Sequence, residues 1–124
     1  MHAFGDWFAG GEVVAELIPF PDRQYRVDFA LPRWRVYVEV DGWQFHGANL
    51  DDHHADRERA LLFSRHDWLP FRLSHQQAIK QTPVLVDAIR DAIKIRQAMP
   101  REMIRIERII TAKSTRARLH QISK

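Results

Sequence analysis

The stretch from Tyr25 to His46 constrains the fold of this chain most, because its pattern predicts two β-strands joined by a tight turn. Two runs rich in β-branched and aromatic residues, 25–30 and 35–40, lie on either side of Pro32. The proline ring fixes φ for the first central position of a turn, so the connection is either residues 32–33 alone or all of 31–34. The sequence therefore predicts a β-hairpin.

Either connection gives the same antiparallel pairing, which sets three pairs opposite one another: Ala30 with Arg35, Asp28 with Tyr37, and Arg26 with Glu39. Side chains two apart on a strand share a face. One face is then apolar and carries Tyr25, Val27, Phe29, Val36, Val38 and Val40. The other face carries Arg26, Asp28, Tyr37, Glu39 and Asp41.

Three carboxylates converge on that second face, and two interpretations are open. Asp28 and Glu39 become diagonal neighbours with β-carbons about 7 Å apart, a spacing that lets both reach one hard cation such as Mg²⁺. Alternatively, Arg26 opposite Glu39 makes an ordinary solvated face with a cross-strand ion pair. Asp41 favours the cation, because its charge beside Glu39 is repulsive unless a positive group offsets it.

These residues carry a resemblance to a known family. The chain resembles the very-short-patch-repair-endonuclease-like branch of the PD-(D/E)xK nuclease superfamily, from about Glu12 to about Ile95. The matching pieces, in order, are Arg-Val-Asp-Phe-Ala at 26–30, Val-Glu-Val-Asp-Gly at 38–42, His46, Asp-Arg-Glu-Arg at 56–59 and Trp-Leu-Pro-Phe-Arg-Leu at 68–73.

The resemblance implies an α/β (α+β) fold, a restriction-endonuclease-like mixed β-sheet flanked by helices, and metal-dependent hydrolysis of DNA phosphodiesters. Asp28 and Glu39 match the acidic residues of the family's first and second motifs, and the Val40 carbonyl between the acidic positions would be a further metal ligand. Asp41 stands where the best-known superfamily members have a lysine, and it would orient water or bind a second ion. The implied cofactor is Mg²⁺, with Mn²⁺ as a substitute ion.

Four more residues receive roles from the resemblance. His46 matches an active-site histidine, and a raised pKa would let it protonate the leaving oxygen. Arg59 would bind a phosphate oxygen and supply the cation that the missing lysine does not; the plain alternative is an ion pair with Asp56 three residues earlier. Glu16 is a candidate fourth carboxylate, while Arg72 is expected to pair with one of the carboxylates.

The remaining elements are predicted from pattern and from chain breakers. Residues 12–20 allow a short helix or a strand, a helix is expected to end near His66, a strand interrupted by Pro70 spans 68–73, and a helix beginning at Thr82-Pro83 runs to about Ala98. In the last segment, Met103, Ile106 and Ile110 fit one helical seam. The domain prediction is a nuclease domain over 1–99 and a basic helical extension over 100–124.

Charge is spread unevenly over those two parts. Residues 1–99 contain 12 Lys and Arg against 14 Asp and Glu, whereas residues 100–124 contain 7 against 2. The extension is either a DNA-binding appendage, through Arg101, Arg105, Arg108 and Lys113, or a solvated helix face. Its apolar seam closes the domain, pairs with a second copy as a homodimer, or docks a protein partner.

Composition excludes several classes of protein. The chain has no cysteine, so a disulfide framework, a thiolate zinc site and a cysteine nucleophile are excluded. No apolar run approaches the length of a membrane span, and we expect a cytoplasmic protein with no membrane partner. The predicted function is that of a Mg-dependent DNA endonuclease; the alternative is a catalytically inactive DNA-binding or assembly module with a nuclease-like fold.

Overall fold

The computed structural model describes residues 2–41 and 50–122, and its centre is a mixed six-stranded sheet. The strands are β1 (Val14–Ile18), β2 (Val27–Leu31), β3 (Val36–Asp41), β4 (Leu69–Ser74), β5 (Ile104–Ile110) and β6 (Thr115–Ile122). Their order across the sheet is β4-β3-β2-β1-β6-β5. The pairs β3–β4 and β1–β6 are parallel, and the other three are antiparallel.

Helices cover both faces of this sheet: α1 (Leu50–Arg65), α2 (His75–Lys80) and α3 (Thr82–Ile95). On one face, Phe63 of α1 packs against Tyr37 with ring centroids 4.4 Å apart. On the other face, Leu85 and Ile89 of α3, four residues apart and so on one side of the helix, pack with Val36 and Val38. The prediction of a mixed sheet flanked by helices is confirmed.

The predicted hairpin forms from β2 and β3, but its register differs by two residues. Phe29 pairs with Val38 and Ala30 with Tyr37, whereas Arg35 had been predicted opposite Ala30. The cause is the connection, a 3₁₀ turn over Pro32–Trp34 followed by Arg35 in the left-handed conformation. β3 therefore starts one residue later, and because a shift of two preserves side-chain alternation, the predicted faces of β3 are retained.

The segment whose prediction was open, residues 12–20, forms the strand β1, which pairs with β2. The predicted strand over 68–73 is confirmed as β4, an edge strand, where Pro70 disturbs the ladder least. The first helix ends at Arg65, close to its predicted end. The helix predicted to reach Ala98 ends at Ile95.

The predicted C-terminal helix is wrong, because residues 104–122 form the hairpin β5–β6 of the same sheet. The helical seam rested on Met103, Ile106 and Ile110, but β-branched isoleucines favour a strand where a partner edge is available. β1 supplies that edge, since Leu17 pairs with Ala117 and both are buried. Residues 104–122 therefore do not form the helix that was predicted to carry a partner surface.

Within residues 2–41 and 50–122, no helix combines the length and the apolar character needed to cross a membrane.

Candidate active site

Four polar residues stand side by side across four neighbouring strands. In β2 and β3 the observed register, continued by one residue, sets Asp28 opposite Glu39, and in β4 the Cα partner of Glu39 is Arg72. Glu16 of β1 lies between the pairs Ala15–Phe29 and Leu17–Val27, hence opposite Asp28. We call Glu16, Asp28, Glu39 and Arg72 the transverse row. Directly opposed residues have β-carbons about 5 Å apart, closer than the diagonal arrangement predicted for Asp28 and Glu39.

Asp28 is fixed by a hydrogen bond from the neighbouring strand. The Val40 N–H donates to Oδ2 of Asp28 at 2.7 Å. The β2–β3 pairs end at Phe29 and Val38, and just beyond them the Asp28 carboxylate is the hydrogen-bond acceptor for the Val40 N–H. The Asp28 carboxylate is therefore tied directly to the Glu39-Val40 backbone, and the three predicted metal-ligating residues lie together.

Glu39 forms an ion pair with Arg59, which reaches it from α1. Both side chains are mostly buried, with 18% of Arg59 and 15% of Glu39 exposed. The Arg59 guanidinium also donates to the Arg26 carbonyl at 3.1 Å and lies over the Phe63 and Tyr25 rings, 5.0 and 5.6 Å from their centroids. Arg59 thus points at the site and pairs with Glu39 rather than with Asp56.

Arg72 lies between two further carboxylates. Its guanidinium pairs with Asp41 at 3.6 Å and with Asp56 at 3.5 Å. Partial burial by itself lowers the pKa of Arg72, but attraction by Asp56, Asp41 and Glu39 outweighs it and leaves that pKa above its ordinary value. The expectation that Arg72 pairs with a carboxylate is confirmed, and the charge of Asp41 is offset inside the protein.

Glu16 occupies the row in an unusual backbone conformation. Its φ is 53°, in the left-handed region, which costs a residue with a Cβ about 1–2 kcal/mol. Its carboxylate pairs with Arg26 at 2.8 Å. Arg26 had been predicted opposite Glu39, and the shifted register explains why its partner is Glu16 instead.

Tyr37 is a member of the site to which the sequence assigned no role. It is 3% exposed and lies on the same face as Glu39, beneath α1. Burial, and then the negative charge of Glu39, raise the pKa of Tyr37 above its ordinary value. Its alternation with Glu39 along β3 was visible in the sequence, but its burial depended on where α1 packs.

The predicted metal ligands are two carboxylates and one backbone carbonyl. In the part of the chain that the structure describes, no three or more His, Cys, Asp or Glu residues are grouped to share a metal ion. Mg²⁺ commonly takes one or two carboxylates and keeps waters for its other positions. Asp28, Glu39 and the Val40 carbonyl remain a predicted ligand set of that kind. His46 lies outside the described residues.

The four predicted DNA-binding residues of the extension fall into two groups. Arg105 and Lys113 are exposed, on β5 and in the β5–β6 turn. Arg101 donates to the carbonyls of Gly11 (2.7 Å) and Trp7, and its guanidinium stacks 3.7 Å from the Trp7 ring centroid. Arg108 lies 4.0 Å over the Phe8 ring and pairs weakly with Asp6 at 3.9 Å. Arg108 thus attaches the N-terminal segment to β5, and Arg101 attaches it to the turn that precedes β5.

Comparison of the chain with protein-family models, curated proteins and solved structures gives no match.

Proposed function

We propose that this protein is a magnesium-dependent endonuclease that hydrolyses DNA phosphodiester bonds in the cytoplasm. One observation carries the proposal: Asp28 and Glu39 stand opposite each other on β2 and β3, with Arg59 and Arg72 beside Glu39. Paired carboxylates suit a hard cation, and arginines suit the phosphate that such a cation would bind. The resemblance to PD-(D/E)xK nucleases supports the same chemistry.

Each residue then has a distinct task. Asp28, Glu39 and the Val40 carbonyl would hold Mg²⁺ or Mn²⁺, which when bound activates water and offsets charge on the phosphate. The hydrogen bond from Val40 keeps Asp28 at that position before metal arrives. Asp41 would orient the attacking water or serve a second ion, and His46 would assist the leaving oxygen.

Arg59 would contact the scissile phosphate without leaving Glu39. A guanidinium group has five N–H donors in a planar fork, so it can share them between a carboxylate and a nonbridging phosphate oxygen. The stacking of Arg59 on Phe63 and Tyr25 restricts the side chain and so orients this fork in advance. Arg105 and Lys113 would bind the DNA backbone away from the reacting phosphate.

The second candidate function is DNA binding or assembly without turnover. The observation that favours it is the internal neutralisation of the site, because Glu39 pairs with Arg59 and Asp41 pairs with Arg72. Asp41 also stands where the superfamily's lysine is expected. This candidate predicts DNA affinity without metal-dependent cleavage.

The decisive experiment compares the wild-type protein with Asp28→Asn. The substitution removes the charge but keeps an oxygen that can accept from the Val40 N–H. Supercoiled plasmid, linear duplex, single strands and branched DNA are each incubated with Mg²⁺, with Mn²⁺ or with chelator. The matched control is Asp87→Asn, an exposed position on α3 across the sheet.

The proposal requires cleavage by the wild type and Asp87→Asn with metal, none with chelator, and none by Asp28→Asn. DNA binding by Asp28→Asn should be equal or tighter, because a negative charge has been removed. Cleavage by Asp28→Asn at the wild-type rate would refute the site assignment. DNA binding by the wild type without cleavage of any substrate would select the second candidate.

A further inference from the structure

A cavity of about 590 Å³ lies at the end of β3 opposite to Asp41, and no residue of the transverse row lines it. Its walls come from the β2–β3 turn, the end of α3 and the residues that follow α3. Small-molecule sites usually have volumes of about 300–1,000 Å³. Arg35, which lines the cavity, is four residues before Glu39, about 13 Å along an extended strand. The cavity is therefore separate from the candidate active site.

Three arginines line this cavity, and we call it the arginine cavity. Arg33 and Arg35 belong to the β2–β3 turn, and Arg96 directly follows α3. Among residues 2–41 and 50–122, the carboxylate in the lining is that of Asp67, so three positive charges stand against one negative charge. Glu12, which pairs with Arg33, is not part of the lining. This excess of positive charge favours an anionic ligand.

Arg33 and Arg96 are held in place by backbone carbonyls. Nε of Arg33 donates to the Met99 carbonyl at 2.8 Å, and Nε of Arg96 donates to the Trp34 carbonyl at 2.7 Å. The other hydrogen bonds of these two side chains use Nη1 of Arg33 and Nη2 of Arg96. Within the described part of the chain, Nη2 of Arg33 and Nη1 of Arg96 form no hydrogen bond. Each guanidinium is therefore oriented and keeps N–H donors for a ligand.

Arg35 differs from both, because its side chain forms no ion pair or hydrogen bond with any residue in 2–41 or 50–122. Its φ of 54° lies in the left-handed region, which glycine adopts readily and a residue with a Cβ does not. Asp67, which lines the same cavity, has a φ of 61°. Strained backbone at residues other than glycine is typical of ligand sites. An unpaired guanidinium in a strained position beside a cavity thus indicates a role in binding.

Much of the remaining lining is apolar. It includes Trp34, Met99 and Met103, and the Arg33 guanidinium lies 5.0 Å from the Trp34 ring centroid. Methionine side chains adapt to the shape of a ligand, and aromatic rings stack on flat groups. Met103 is 39% exposed, so part of this apolar surface is open to a ligand. The lining combines donors for a phosphate with a surface for a nucleobase.

We propose that the arginine cavity binds a nucleoside phosphate: Arg33, Arg35 and Arg96 donate to the phosphate, and the base contacts the Trp34, Met99 and Met103 side chains. The planar fork of a guanidinium matches the geometry of phosphate oxygens, which an ammonium group does not. The phosphate belongs either to a free nucleotide or to the 5′ end of a DNA strand, since both present the same phosphomonoester and base. The proposal goes beyond the nuclease proposal and does not depend on it.

The test is isothermal titration calorimetry with AMP, GMP, CMP and dTMP, and with a short DNA strand that carries or lacks a 5′-phosphate. Chelator is present throughout, so that metal at Asp28 and Glu39 does not contribute. Adenosine and inorganic phosphate are titrated separately, because each supplies only part of the ligand. The variant is Arg35→Gly, which removes the guanidinium and suits the left-handed backbone. The matched control is Arg90→Gln, which removes the same charge from an exposed position on α3 outside the cavity.

We expect at least one nucleoside monophosphate to bind the wild type and Arg90→Gln with equal affinity. Binding by Arg35→Gly should be weaker by at least about tenfold, because hydrogen bonds to a charged phosphate are lost. Adenosine and inorganic phosphate should each bind more weakly than the nucleotide. Urea unfolding is measured in parallel. If Arg35→Gly does not fold, Arg35→Asn must show the loss of affinity, because asparagine also tolerates the left-handed conformation.

The DNA strand identifies the source of the phosphate. Tighter binding of the phosphorylated strand than of any mononucleotide assigns the cavity to a DNA end, and the reverse order assigns it to a free nucleotide. The proposal is overturned if no probe binds the wild type, or if Arg35→Gly binds as tightly as the wild type. It is also overturned if Arg90→Gln loses as much affinity as Arg35→Gly, or if inorganic phosphate binds as tightly as the nucleotides.

Discussion

The ion pair between Arg59 and Glu39 offers the sharpest prediction about stability. Substituting Arg59 by alanine leaves the Glu39 carboxylate, only 15% exposed, without its cation. Breaking a buried pair on one side costs about 3–5 kcal/mol, and the residual exposure of both side chains places this case at the lower end. Loss of the stacking on Phe63 adds to the effect. We expect Arg59→Ala to lower the free energy of unfolding by about 3 kcal/mol.

A double-mutant cycle separates the pair from the rest of the arginine's contacts. Glu39→Gln keeps an acceptor for Arg59, so we expect it to cost about 1–2 kcal/mol. The double variant should cost less than the sum of the two single variants by about 1 kcal/mol or more, because the second substitution no longer breaks an intact pair. Urea denaturation at neutral pH, followed by circular dichroism, gives all four free energies.

The control is Arg90→Ala on α3, an exposed arginine whose partner Asp87 is 3.7 Å away and 75% exposed. An exposed pair of this kind contributes about 0–1 kcal/mol. The reasoning is refuted if Arg59→Ala destabilises the protein no more than Arg90→Ala does. It is also refuted if the two single effects add without coupling, since the pair would then carry no energy of its own.

Two further predictions concern the ionisation of Tyr37 and the backbone conformation of Arg35. The pKa of Tyr37 is raised, so above pH 10.0, its ordinary value, the unfolded chain releases a proton that the folded chain keeps, and the free energy of unfolding falls. Tyr37→Phe should remove that alkaline loss in urea titrations at rising pH; a wild-type-minus-variant difference that does not change with pH would contradict it. Arg35 has φ 54° and ψ 48° after the Pro32–Trp34 turn, so Arg35→Gly should raise stability by about 1 kcal/mol. A decrease in the same urea assay would show that the arginine side chain contributes more than its backbone costs.

The β2–β3 hairpin shows which structural features the local sequence pattern can predict. Alternation alone assigned Tyr37 and Glu39 to one face and Val36 and Val38 to the other, and this holds because it depends only on parity. The register depends on the conformation of Arg35, an ordinary residue in a left-handed turn position. An arginine side chain does not indicate that conformation, whereas a glycine would have done. The predicted pairing therefore differs from the observed pairing by two residues.

The segment 100–124 shows more clearly what the local sequence pattern cannot predict. Ile106 and Ile110 fit a helical seam as well as they fit a strand, and the choice is made by β1, whose free edge lies far away in the sequence. The Arg59–Glu39 pair likewise needed the packing of α1, which the sequence alone does not specify.

The pairing of β6 with β1 also bears on how this protein reaches its native state. Leu17 and Ala117 are 100 residues apart in sequence, yet they are neighbours in the middle of the sheet. Bringing such distant segments together closes a long loop. The entropy cost of that closure comes before the favourable contacts form, which slows folding. Until β6 arrives, β1 presents unpaired N–H and C=O groups along the side where β6 will bind, and such an edge can recruit a strand from another molecule. Nascent or refolding chains should therefore be most prone to aggregate in the interval between formation of β1–β2–β3 and docking of the last hairpin.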